Sequence, residues 1–74
     1  MNEKFNYSKL RGFIVEHFGT QGAFAKFLGI GTTALVRRMG NKVYFTQREI
    51  DKVANEAIDR KLSAEEVTDL FFTH

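Results

Sequence analysis

The sequence has no cysteine, no proline and no tryptophan, and none of its six glycines lies beyond residue 40. The absence of cysteine removes disulfides, thiolate metal sites and cysteine nucleophiles together, so redox function is excluded and a reducing compartment, the cytoplasm, is expected. Apolar runs never exceed a few residues, and Met1-Asn2-Glu3-Lys4 leads into none, so neither a membrane span nor a signal peptide is expected. The two histidines, His17 and His74, have no closely spaced carboxylate or cysteine to complete a metal site. With no nucleophile–base arrangement and little volume for a pocket, the chain is not expected to be an enzyme, to hold a cofactor or to bind a small molecule.

Seventy-four residues are expected to make one domain, 1–74, since domains usually run to roughly 100 to 200 residues, with 1–6 a flexible N-terminal segment. A chain this short buries only about 60% of the surface that its unfolded state exposes, so it needs a dense apolar core. Eight Phe and two Tyr supply that density.

The net charge of +2 says little as a total. Along the chain it separates. Residues 1–48 carry eight bases (Lys4, Lys9, Arg11, Lys26, Arg37, Arg38, Lys42, Arg48) against two acids (Glu3, Glu16), net +6; residues 49–74 carry three bases against seven acids, net −4. Such asymmetry points to an anionic partner for the first half.

Leu10, Phe13, Ile14 and Phe18 share one helical face, which predicts a first helix over about 7–18 ending at Gly19, capped by Asn6 or by Ser8. Thr20 is placed to cap a second helix, Gln21 to Leu28, which Gly29 stops. A third runs from Thr32 to Met39 and ends at Gly40-Asn41, and 41–45 reads as an irregular loop. Thr46-x-x-Glu49 and Ser63-x-x-Glu66 are capping boxes, each flanked by a hydrophobic staple (Phe45 and Ile50; Leu62 and Val67), so fourth and fifth helices begin there, the last running to about Phe72. The fold expected is all-α, a five-helix orthogonal bundle.

Two short helices joined by a tight glycine-containing turn outline a helix-turn-helix. In the 20 residues from Gln21 to Gly40, Phe24 and Leu28 face the core, small Ala25 sits where the helices come closest, Ile30 plugs the corner and Leu35 anchors the second helix. On Thr20-Gln21-x-x-Phe24-Ala25-x-x-Leu28-Gly29-Ile30, Leu35, Arg37, Gly40-Asn41-Lys42 and Phe45-Thr46-Gln47, the chain resembles the phage repressor and Cro type of DNA-binding protein, the Xre-like helix-turn-helix family. Over most of residues 7–72 it is similar to the short Cro-like members. The chain departs from the family pattern at Arg38-Met39, where an aliphatic anchor is usual three residues after Leu35, and at Gly31, where a Ser or Thr cap is common. A slight rotation of the third helix to bury Met39 is expected.

The resemblance implies a lambda-repressor-like bundle whose third helix enters the major groove with its N-terminal residues against base edges. Thr32, Thr33, Val36 and Arg37 are the candidate base contacts: Arg37 as a bidentate partner of guanine, the others as sources of methyl contacts to thymine. Gln21, Lys26, Arg38, Asn41, Lys42, Tyr44 and Arg48 are the candidate phosphate contacts. Phe27 and the Phe71-Phe72 pair belong either to the core or to a homodimer contact, which would set two recognition helices about 34 Å apart on a pseudo-palindromic site. The expected function is operator occupancy by a Cro-like transcriptional repressor, as a dimer at least on DNA, in the cytoplasm of a bacterial host. An excision or activator protein of the same fold, or a protein-binding adaptor with a vestigial motif, are the alternatives.

Overall fold

The computed structural model describes residues 4–74, which form five helices: α1 (Ser8–Phe18), α2 (Gln21–Leu28), α3 (Thr32–Met39), α4 (Gln47–Glu56) and α5 (Ala64–Phe71). The chain is all-α, with no strand among the described residues; Val43-Tyr44-Phe45 lies in the loop. None of the helices is long and apolar enough to cross a membrane.

Local sequence chemistry accounts for most boundaries. Both capping boxes form: the Glu49 amide donates to Thr46 Oγ1 and the Thr46 amide to Glu49 Oε1, and Glu66 and Ser63 exchange the same pair of bonds at α5. Thr20 Oγ1 accepts from the Ala23 amide at the start of α2. Helix α1 starts differently from either expectation. Tyr7 holds its N-cap position without a side-chain bond, while Asn6 Oδ1 takes the Ser8 amide one residue early, in an Asx turn. Tyr7 itself is buried, and its ring meets Phe45 edge-on at 5.5 Å.

At the α2 terminus Gly29 is left-handed (φ 77°); its amide reaches Lys26 O and that of Ile30 reaches Ala25 O, the paired bonds of a Schellman motif. The same pattern closes α3, with Asn41 in the left-handed position (φ 63°), its amide on Arg38 O and that of Lys42 on Arg37 O. Asn is among the few non-glycine residues that enter this region readily.

Phe24, Phe71, Leu10, Ile14, Leu35 and Val53 are the largest side chains removed from solvent. They draw on all five helices, as one core requires. Helix α2 lies at the centre and approaches α1, α3 and α4, while α5 closes against α1 and α4. Phe71 packs on Phe45 in the core, and Phe27 is half-buried beside Phe18 and Phe24, so of Phe27, Phe71 and Phe72 it is Phe72 that remains partly exposed. Of the segment expected to be flexible, residues 1–3 lie outside the described residues. Phe5 and Asn6 are tied down: the Asn41 carboxamide holds the backbone of Phe5, and the Asn6 amide donates to Thr73 O.

Candidate nucleic-acid interface

Leu35 and Met39 are four residues apart, and both are buried. Burying that edge turns the opposite side of α3 outward. At about 100° per residue, Thr32, Val36, Thr33 and Arg37 fall in one arc of about 140° that begins beside the Met39 direction at Thr32 and ends opposite the buried edge at Arg37. All four are exposed, Val36 to 54% although it is apolar. Met39, as expected from the sequence, is the residue that turns inward one turn after Leu35. Two hydroxyls, a branched apolar side chain and a guanidinium therefore share one free surface, with a donor fork and methyl groups within one helical turn.

The other candidate contact residues lie on α2, on the loop after α3 and on α4. Gln21, half-buried, occupies the first position of α2, where the first amides have no intrahelical partner. Lys26 is exposed in the last turn of α2, and Lys42 and Tyr44 are exposed directly after α3, Tyr44 to 62%. Arg48 is exposed on α4, where it borders a groove with Leu28, Gly29, Ile30 and Lys52 beneath the α2–α3 turn. Among the described residues, none of Lys26, Arg37, Lys42 or Arg48 has a carboxylate within ion-pair distance. The first turns of α2 and α3 contain no acid to meet their positive dipole ends, whereas those of α4 and α5 hold Glu49, Glu65 and Glu66.

Two of the expected phosphate contacts are committed elsewhere. Arg38 follows Arg37 by about 100° around the helix and so leaves the exposed arc. Its guanidinium forms a two-bond fork with Glu49, Nε to Oε1 at 2.8 Å and Nη2 to Oε2 at 3.1 Å, with both side chains mostly buried. Asn41 uses its carboxamide on the backbone of Phe5 and its left-handed backbone to end α3. Sequence reasoning missed both. The Gly40-Asn41 pair signalled the left-handed turn, but no local pattern links it to Phe5, 36 residues away. Glu49 was legible as a capping residue, and nothing marked it also as a partner of Arg38.

Past the C-terminal end of α3, where Asn41 holds Phe5, lies an aromatic strip. The Phe5 ring meets Tyr44 at 6.1 Å and Phe72 at 5.9 Å, both edge-on, and His74 at 4.8 Å. Tyr7 lies under the strip, and its burial, reinforced by nearby Tyr44, raises its phenol above the ordinary range, so it remains neutral. His17 pairs with Glu16 and meets Phe13 at a tilt, and no group of three metal-ligating side chains occurs among the described residues.

These features define a small all-α protein that turns an exposed face of α3 to solvent. The chain matches the family described as "Protein of unknown function (DUF739)" over residues 3–74 and belongs to it. No curated protein matches it.

Proposed function

We propose that this protein is a sequence-specific double-stranded DNA-binding protein of the Cro and repressor helix-turn-helix type, in which α2 and α3 form the motif and α3 reads the major groove. The observation that carries the reading is the outward arc of Thr32, Thr33, Val36 and Arg37 on a helix anchored by Leu35 and Met39. Those residue types match what base edges offer: a fork for guanine O6 and N7, and methyls for thymine C5. Gln21, Lys26, Lys42, Tyr44 and Arg48 are the backbone contacts that set the register. The bundle is of the lambda-repressor-like type, and the protein acts in the cytoplasm by occupying an operator.

Binding as a homodimer belongs to the same reading. Phe72, 44% exposed, and Tyr44 are joined through Phe5 in one apolar strip past the C-terminal end of α3, a surface suited to a second copy on a pseudo-palindromic site. The acidic second half suits a face turned away from phosphate.

Titration of labelled duplex DNA at several salt concentrations tests the proposal. Affinity is expected to fall steeply with salt, with a slope matching several released counterions, and to depend on duplex sequence. Weak binding that ignores both salt and sequence would contradict it.

A further inference from the structure

Among the described residues, the backbone of α3 comes close to that of one other helix, α2. Leu35 and Met39 hold one edge of it in the core, but an eight-residue helix resting on a single neighbour can roll about that contact. The one polar connection from its side chains to another helix is the Arg38–Glu49 fork. Arg38 Nη1 also donates to Ala34 O, one turn back on α3, so the guanidinium is fixed at its own end as well. On the α4 side, Glu49 Oε1 simultaneously accepts from the Thr46 amide and closes the capping box, so the carboxylate belongs to a rigid helix start. Side-chain exposures of 13% and 10% keep the pair largely out of water, where screening is weak.

We propose that Arg38 and Glu49 form a strut that fixes the roll of α3, and that Arg38, rather than touching DNA, is a positioning residue that aims its neighbour Arg37 at the base edge. The inference rests on the DNA-binding reading for its consequence and on the fork geometry for its cause. Rolling α3 by a fraction of the angle between neighbouring residues moves the Arg37 guanidinium off a bidentate geometry, while backbone contacts from α2 and from the loop after α3 are kept. Loss of the strut therefore lowers discrimination more than affinity.

The test compares wild type with Arg38→Lys, Arg38→Met and the double variant Arg38→Met/Glu49→Gln, which leaves no carboxylate unpaired and retains a residue suited to the capping box. Affinities for a selected duplex and a scrambled one are measured across salt, with amide hydrogen exchange on the free proteins. The ratio of the two affinities is expected to fall about tenfold in Arg38→Met and in the double variant, comparable to losing one bidentate base contact. Scrambled-DNA affinity and salt slope should stay near wild type. Arg38→Lys, which keeps the charge and loses the fork, should recover little of the ratio. Exchange at the α3 amides should quicken about tenfold while α1 and α5 keep their protection.

A phosphate-contacting Arg38 gives the opposite pattern and would overturn the proposal: the salt slope drops by about one, both duplexes weaken alike, and Arg38→Lys restores binding. Unchanged α3 exchange overturns the strut whatever the DNA result. A wild type that prefers no sequence removes the DNA-binding reading and the specificity role with it, and exchange then judges the strut by itself.

Discussion

The carboxamide of Asn41 pairs with both backbone polar groups of Phe5, Oδ1 accepting from the amide at 2.7 Å and Nδ2 donating to the carbonyl at 3.0 Å. Asn41 thus ends α3 through its left-handed backbone and, through its side chain, fastens the N-terminal segment against the loop that carries Lys42 and Tyr44. Asn41→Ala loses both bonds and forces an alanine into a left-handed backbone, and is expected to cost about 2 to 3 kcal/mol. Asn41→Gly keeps the backbone and loses only the clasp, so it should be milder by about 1 kcal/mol. Urea unfolding of both variants checks the order; equal losses would mean that the clasp alone matters.

Leu35 and Val36 are adjacent and separate stability from recognition. Leu35→Ala empties a fully buried site and should cost about 2 to 5 kcal/mol. Val36→Ala alters an exposed site and should leave the midpoint within about 0.5 kcal/mol while changing the preferred DNA sequence. Thermal unfolding and duplex competition read the two effects; a large loss of stability in Val36→Ala would place it in the core.

Glu66 supplies the acid dependence. Its bonds from Arg60, then the Ser63 backbone bond, lower its carboxyl from the ordinary 4.5 to about 2. A depressed folded-state value means that its contribution is fully present above about 4.5 and is lost as pH falls toward about 2. The stability gap between wild type and Glu66→Gln should therefore be open at neutral pH and close across that window. The site is solvent-exposed, so salt should narrow the gap as well. A gap independent of pH would show that the ionised form is not what matters.

Much of this architecture is legible in the sequence because its signals are local. The two capping boxes, the Gly29 stop and the Leu35–Met39 spacing each span at most five residues, and each defines an element the structure contains. The outward place of Arg37, opposite the buried edge, follows from the same spacing. The intramolecular partners of Arg38 and Asn41, Glu49 and Phe5, lie 11 and 36 residues away, beyond the reach of any local pattern. A basic or amide side chain after a helix looks the same in sequence whether it meets a phosphate or another part of the chain. Folding brings the partner into reach, and a buried carboxylate then holds a guanidinium more firmly than solvent does.

Phe72→Ser tests the second copy. The ring is partly exposed and edge-on to Phe5, so the monomer should lose no more than about 1 kcal/mol, within the ordinary range for a single substitution. Occupancy of a two-half-site duplex should weaken at least about tenfold, with half-site binding unchanged, in sedimentation of the complexes. Equal weakening on both duplexes would place Phe72 outside any contact between copies.

The most direct measurement is selection of binding sites from random duplex DNA by wild type, Arg37→Ala and Lys42→Ala. Wild type should enrich a defined motif. Arg37→Ala should enrich the same motif with one base pair relaxed, a loss of about 1 to 3 kcal/mol of discrimination, and Lys42→Ala should bind all sequences more weakly with its preference intact. A wild type that enriches no motif, or an Arg37→Ala selection indistinguishable from it, would contradict reading of DNA through α3.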